Sequence, residues 1–384
     1  MVSIINKLRG DKVIWLVVFI MSIISLLVVY SSSGALAYKY KGGNTEYFLF
    51  KHGSILLMGL VLMYFIHKTK YTYYSRISQI AIFIAIPLLL YTLLKGVSAG
   101  EANRWLSIPG TALTFQTSDF AKLALIVYVA RVLSIKQDQI KDFKTAFLPI
   151  VIPIALICGL ILPANFSTSA LLFATCFVLM FIGRINIKHL LSLLAIGVLA
   201  IAFIVLLIFN FPNAIPRGAT WKARIENFTS GDSETNFQAE QAKIAIATGG
   251  VTGKGPGKST QRNFLPQASS DFIYAIMIEE GGMVLGVLVV FLYIIILFRG
   301  IRIANKSEKT FGSLLAIGLT FSLVFQAMIN MAVATNLFPV TGQPLPLISM
   351  GGTSIWFTSI SIGIILSVSR ETEQEKEGGE IETA

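Results

Sequence analysis

The sequence predicts an all-α polytopic membrane protein, and three observations carry that prediction. Of 384 residues, 54% are hydrophobic and only 13% are charged, with a mean hydropathy of +0.73. Soluble domains carry roughly 25% charged residues. Apolar runs long enough to cross a bilayer recur along the chain, and the segments between most of them are too short to fold alone. The runs are apolar throughout rather than alternating, which excludes an outer-membrane barrel. Backbone in lipid must satisfy its own polar groups, so the spans are helical.

Ten spans are expected, each near the ~20 residues a bilayer core requires: 13–31, 49–66, 77–96, 118–134, 146–163, 167–183, 190–211, 271–298, 311–337 and 350–368. The first mimics a secretory signal, with Lys7, Arg9 and Lys12 before it and Ala35-Leu36-Ala37 after it. Its apolar core from Val13 to Tyr30 exceeds a signal's length, so it reads as an uncleaved helix. Placing the N-terminus in the cytoplasm puts 18 of the 31 Lys and Arg on cytoplasmic segments. That bias sets the orientation, with both termini cytoplasmic.

Between spans seven and eight lies a 59-residue outward loop, 212–270, with seven basic against four acidic residues. Thr235 with Gln238 reads as a capping box, and 237–248 as a helix stopped by Gly249-Gly250. A structured loop of this length is usually functional. The chain is thus one membrane domain, 1–369, and a tail, 370–384. The tail holds six Glu against two basic residues and is expected to be disordered. Cys158 and Cys176 read as packing residues. His52, His67 and His189 have no ligand spacing and read as interfacial.

Six stretches could carry chemistry. Asp271 stands where the loop meets span eight, a natural place for a general base. Arg104 offers a planar fork for phosphate oxygens beside Trp105, for which interfacial anchoring is equally open. Asp119 and Lys122 share one helix face inside span four, with Ser118 as the expected N-cap. A local ion pair is the bland reading of that couple, and a functional pair the sharper one. Asn165 sits in the turn between spans five and six. Glu279 and Glu280 lie about two turns below Asp271, where at least one should face the protein interior. The run 338–354, with three prolines and three glycines and Ser349 among its contact candidates, predicts a rigid non-helical segment at membrane depth. A glycine-rich run, Gly253-Lys254-Gly255-Pro256-Gly257-Lys258-Ser259, misses the nucleotide-loop spacing and lacks a preceding strand. What survives there is a backbone able to approach a ligand, with lysines that attract anions.

Taken together, these stretches resemble the SEDS family of peptidoglycan polymerases, the FtsW, RodA and SpoVE group, over roughly residues 11–369. The matching motifs are Ala-Asn-Arg-Trp-Leu at 102–106, Ser-Asp-Phe-Ala-Lys at 118–122, Lys243 to Gly257, 264–273, and Pro-Val-Thr-Gly through Gly-Gly-Thr-Ser at 339–354. The resemblance implies ten helices in a bacterial inner membrane and a glycosyltransferase that polymerises lipid II on the outer leaflet, in cell division or elongation. It places the essential acid on Asp271, the loop arginine on Arg104, and the span-four acid and lysine on Asp119 and Lys122. It also implies a class B penicillin-binding transpeptidase as partner, with other divisome or elongasome membrane proteins, and no nucleic acid. One departure stands out: Asn165 occupies the place of a common family aspartate, which tilts the likeness towards FtsW. The expected mechanism has Asp271 as base, with Arg104, Lys122 and Lys243 stabilising an undecaprenyl-diphosphate leaving group together with a divalent cation, Mg or Mn. Asp119, Trp105, Asn165 and Ser349 complete the expected substrate contacts. Two alternatives are a flippase for lipid-linked precursors, using Glu279, Glu280, Gln326 and Asn330 as a polar path, and a non-catalytic scaffold for a transpeptidase.

Overall fold

The computed structural model describes residues 9–98, 103–107, 114–212, 217–230 and 237–382. Its helices are α1 (Lys12–Ser32), α2 (Gly34–Lys41), α3 (Thr45–Lys68), α4 (Thr72–Lys95), α5 (Thr117–Ile135), α6 (Leu148–Ile161), α7 (Phe166–Ile182), α8 (Ile187–Asn210), α9 (Gly218–Ser230), α10 (Phe237–Gly249), α11 (Ile273–Lys306), α12 (Thr310–Ala334) and α13 (Gly352–Glu382). Among the described residues, eight helices are long and apolar enough to cross a membrane: α1, α3, α4, α6 with the π-turn Phe143–Phe147 before it, α8, α11, α12 and α13. The other two expected spans are helical as well. α5 has 19 residues and carries Asp119, Lys122 and Arg131, and α7 has 17 residues.

Helices α5 and α12 form the centre. α12 packs on α5, α7, α11 and α13; α13 lies along α3, and α4 along α5. Lipid is as apolar as leucine, so hydrophobicity does not draw helices inward. Accordingly α8, the most apolar span, is 6% buried, whereas α12 and α13 are each 61% buried and less apolar. Cys158 and Cys176 are buried and unpaired. His52 is also buried rather than interfacial, because its Nε2 lies 2.8 Å from Ser25 Oγ.

Outside the helices, β1 (Val97–Ser98), β2 (Asn103–Ser107) and β3 (Thr114–Gln116) form an antiparallel sheet in the order β1-β2-β3. It is a small correction to a wholly helical expectation. Thr235 of the expected capping box lies outside the described residues, but the helix it would start runs from Phe237 to Gly249, and Gly250 takes φ 55°. Ser118 is not an N-cap. α5 begins at Thr117, and Ser118 Oγ accepts instead from Gln116 Nε2 at 3.1 Å.

α11 is kinked at Gly282, whose φ of 69° and ψ of −176° break the helix into legs 273–281 and 283–306. The break costs Glu279 O and Glu280 O their partners one turn on. The glycine-rich loop replaces them: Lys254 N donates to Glu279 O and Gly255 N to Glu280 O, both at 2.9 Å. Met283 N and Val284 N donate in turn to Gly250 O and Val251 O at 2.9 and 3.3 Å. A Cβ at Gly282 would meet Val251 O at 2.1 Å, so the approach needs a glycine. The leg 283–306 alone is about 36 Å long at ~1.5 Å per residue, enough for a bilayer core. Glu279 and Glu280 are therefore buried on the short leg before the kink.

At the opposite end, the tail departs from the disorder its composition suggests. α13 continues to Glu382. Glu371 Oε1 accepts from Tyr71 N at 3.0 Å, Glu373 Oε2 from Gly10 N at 3.2 Å, and Glu375 Oε1 from Lys309 Nζ at 2.8 Å. These bonds join the tail to the start of α1, the start of α4 and the α11–α12 turn. Beside them Asp11 caps α1 through Val13 N and Ile14 N, and its Oδ2 takes Arg299 Nε at 2.7 Å and Nη2 at 2.5 Å. Arg299→Met would leave the buried Asp11 carboxylate uncompensated, an expected loss of ~3 kcal/mol or more. Thermal unfolding of the detergent-purified protein checks this, and adding Asp11→Asn should recover part of the loss. Equal stability of Arg299→Met and wild type would refute it.

Candidate functional site

Asp271 lies in the turn before α11, and its position is set by an irregular strap, residues 336–351, between α12 and α13. Met350 N donates to Ser269 O at 2.8 Å, and Ser349 Oγ to Ser270 O at 2.6 Å. Asn330 Nδ2 of α12 donates to both Asp271 O at 2.8 Å and Gln343 O at 2.7 Å. Ser349 thus positions the segment that carries Asp271. The strap's other carbonyls are met by side chains from the bundle: Pro344 O by Gln326, Pro346 O by Tyr293 and Ile348 O by Ser25. Non-helical backbone survives at this depth because protein groups replace water.

The Asp271 carboxylate has two different oxygens. Oδ1 accepts from Ser270 Oγ at 2.9 Å. Oδ2 faces Gly342, where a Cβ would stand 3.4 Å away and where φ is +66°. Burial pushes the acid above the ordinary carboxylate range, while Ser270, Arg104 and Arg224 pull the other way.

Arg104 projects from β2 and donates Nε–H to Ala164 O at 2.9 Å. Arg217 Nη1 donates to the same carbonyl at 3.0 Å, and Arg224 Nη1 donates to Val340 O at 3.0 Å. Burial holds Arg104 down to about 10, with Arg217 and Arg224 adding repulsion and Asp271 opposing them. Among the described residues neither Arg104 nor Arg217 has a carboxylate at ion-pair distance. The three guanidiniums end a trough of about 480 Å³ whose walls are apolar residues of α7, α8 and α12, including Leu171, Ile204, Ile208 and Phe325. Asn165 lines it too, with its Oδ1 capping α7 at Thr168 N, 3.2 Å away.

Four other expected contacts are placed elsewhere. Lys122 and Asp119 line a separate small pocket, 3.6 Å apart, and Lys122 Nζ donates to Gln326 Oε1 at 2.8 Å. Trp105 follows Arg104 along β2, so its side chain leaves the opposite face of the strand and does not line the trough. Lys243 is exposed on α10 and outside the trough, because the buried face of that helix is Ala239, Ala242 and Ala245. The anion expected near the glycine-rich loop proves to be internal. Glu279 takes Lys254 Nζ at 2.5 Å, Thr260 N at 3.1 Å, Gln261 N at 3.2 Å and Ser259 Oγ. Glu280 takes Ser259 N at 3.2 Å and Ser31 Oγ.

Two site residues went unnoticed in the sequence beyond their contribution to loop charge: Arg217 and Arg224. Their signal was available, because 217, 221 and 224 share one face at helical spacing. Trp221 between them packs on Phe166 with ring centroids 5.7 Å apart. Replacing Asn330 by Leu would strip Asp271 O and Gln343 O of their donor. The expected loss is roughly 2 kcal/mol or more, at about 1–3 kcal/mol per unmet buried group. Denaturant unfolding in detergent measures it, and a change below about 0.5 kcal/mol would remove Asn330 from this role.

Comparison with known proteins follows the same geometry. The family model described as "Cell cycle protein", for FtsW, RodA and SpoVE, matches residues 11–374. Stage V sporulation protein E of Bacillus subtilis is 32% identical over 369 residues, covering 95% of this chain and 98% of its own. A probable peptidoglycan glycosyltransferase FtsW of Geobacter metallireducens is 32% identical over 365 residues, covering 94% of this chain and 95% of its own. Among solved structures, a chain of a peptidoglycan synthase complex superposes with a TM-score of 0.72 at 22% identity, over 95% of this chain and 99% of its own. The rod shape determining protein RodA of Thermus thermophilus does so with 0.66 at 22% identity, over 96% and 99%. The structural likeness speaks for the fold; the family match and the 32% identities over nearly full length establish that this chain belongs to the FtsW, RodA and SpoVE family.

Proposed function

We propose that this chain is a peptidoglycan glycosyltransferase acting on lipid II, with Asp271 as general base. One observation carries the reading: an apolar trough ends in three arginines, and the charges of two of them act on a half-buried carboxylate. A polyprenyl chain fits the trough, and a diphosphate suits the planar donor forks of its guanidiniums. The end carrying α9, α10 and the strap faces outward in this reading, as the distribution of basic residues favours.

In the reaction a sugar hydroxyl of the acceptor attacks the anomeric carbon of the donor. The new C–O bond forms as the bond to the diphosphate breaks, and the diphosphate leaves with the electron pair. The hydroxyl proton passes to Asp271, and single displacement inverts the anomeric centre. Oδ2 is the accepting oxygen, since Oδ1 already holds Ser270 Oγ. Arg104, Arg217 and Arg224 stabilise charge developing on the leaving group. Lys122 and Asp119 act at one remove, through Gln326 and its bond to Pro344 O in the strap. A divalent cation has no matching donor set: among the described residues no three His, Cys, Asp or Glu side chains cluster to hold one. No step here runs through Mg or Mn.

The flippase path loses its groups, since Glu279, Glu280, Gln326 and Asn330 are all engaged within the protein. The partner remains, on this reading, a class B penicillin-binding transpeptidase beside other division or elongation proteins of the bacterial inner membrane.

Asp271→Asn keeps size and removes basicity. In a purified system supplied with lipid II, polymerisation should fall by about 10²–10⁴-fold; a wild-type rate would sink the assignment. The same base must be ionised to act, and its folded value is raised. The acidic limb of kcat/KM should therefore lie above the ordinary aspartate value of about 3.9. The limb of kcat should lie higher still, because a bound diphosphate cancels the arginine charges that pull Asp271 down. Rate profiles from pH 4 to 8 separate the two limbs, and an identical limb near 3.9 in both would contradict this.

A further inference from the structure

A second cavity adjoins the trough on the other side of Arg224. It has a volume of about 170 Å³ and is lined by Asn227, Phe228, Phe237 and Gln238 together with Arg224. Arg224, Pro339 and Val340 border both spaces, and the bond from Arg224 Nη1 to Val340 O closes the wall between them. The linings differ in kind. The trough is larger and mostly apolar, with Phe166, Trp221, Phe325 and Phe338 among its aliphatic walls. The second space combines two phenylalanine rings, two carboxamides and a guanidinium, in a volume below the ~300 Å³ at which pockets for drug-sized ligands begin.

That is too small for a lipid chain and the right scale for one sugar ring. The Gln238 carboxamide both donates and accepts, which matches hydroxyl and N-acetyl groups around a ring edge. Aromatic faces carry negative charge density and attract the C–H faces of a pyranose. Phe237 is 46% exposed and Phe228 37%, so neither ring is consumed as core. The position is equally telling. Val340 of the wall lies two residues before Gly342, which abuts Asp271 Oδ2, and Arg224 is one of the charges acting on Asp271.

We infer that this cavity is a saccharide subsite that holds an N-acetylhexosamine ring of the acceptor, on the far side of Arg224 from the donor's lipid. Arg224 and Val340 then form a partition with the donor diphosphate on one side, the acceptor sugar on the other, and the base at its edge. The inference rests on the glycosyltransferase reading and specifies where its second substrate lies.

The probe is soluble chitotetraose, a lipid-free oligomer of β-1,4-linked N-acetylglucosamine, titrated against the full-length protein in detergent by saturation-transfer NMR. Binding by wild type is expected, weakened fivefold or more in both Phe237→Ala and Gln238→Ala. Binding of undecaprenyl diphosphate should stay within twofold in those variants and fall in Arg217→Ala. Because Phe237 is exposed, its truncation should leave folding intact, and a melting curve verifies that. No chitotetraose binding by wild type, or equal binding by the two variants, overturns the subsite. Saccharide binding with no polymer from wild type and lipid II would instead overturn the glycosyltransferase reading and leave the subsite standing.

Discussion

The structure depends on keeping irregular backbone satisfied inside a bundle made for lipid. The strap between α12 and α13 has no helix to absorb its carbonyls, and each unmet group at that depth costs several kcal/mol. Asn330, Gln326, Tyr293 and Ser25 meet them from three helices, and Arg224 adds a contact from α9. These bonds fix more than the strap. Through Ser349 and Met350 it grips residues 269 and 270, and Asn330 holds Asp271 O directly. The polar residues in the spans are therefore the reason a carboxylate can be held at one place beside a glycine.

A second anchor works from the other end of the same short helix. The kink at Gly282 breaks two helical bonds, and the glycine-rich loop supplies four in their place. Glu279 then draws Lys254 and the backbone of 260 and 261 onto itself, while Glu280 reaches Ser31 on α1. The leg 273–281 is consequently held at both ends, by the strap before it and the loop after it. A base needs its position defined to a fraction of an ångström to serve in proton transfer. A leg fixed only by apolar contacts could slide.

Much of this was legible in the sequence. Helices cover all ten expected spans, because long apolar runs have few other stable states in lipid. The helix after Phe237 and its stop at Gly249-Gly250 were readable from capping chemistry, and the non-helical strap from its prolines. Asp271 was legible from placement alone. What escaped the reading depends on tertiary partners. Glu279 and Glu280 were expected to turn at least one carboxylate inward, and both are buried; what nothing in their neighbourhood reveals is the loop 20 residues earlier that folds back onto them. The bond from Lys122 to Gln326 was not legible, because Gln326 lies on another helix. Arg217 and Arg224 were counted as charge rather than placed on a face, although their spacing with Trp221 showed one. Trp105 and Arg104 were grouped by adjacency, which in a strand separates rather than joins side chains. The start of the tail was opaque for a related reason: its glutamates suggest solvation, and the partners of Glu371, Glu373 and Glu375 at the starts of α4 and α1 and in the α11–α12 turn lie far away in sequence.

The electrostatics of the site follow from one imbalance. Three arginines gather around the trough's end, and the charges of two of them, Arg104 and Arg224, act on Asp271. Burial drives that acid towards its neutral form and the arginines towards its ionised form, with burial the larger of the two. Among the described residues Arg104 and Arg217 have no carboxylate at ion-pair distance, which favours an arriving anion. The site is also under-powered as a base while the guanidiniums still hold the carboxylate down. An anion seated on the arginines would change both conditions at once. Their charge would be spent on the phosphate oxygens, the carboxylate would keep only its burial, and its proton affinity would rise towards the operating pH. On the proposed reading, basicity would then be highest when a donor is in place and lower when the trough is empty, and proton abstraction from an acceptor would be coupled to the presence of something for it to attack.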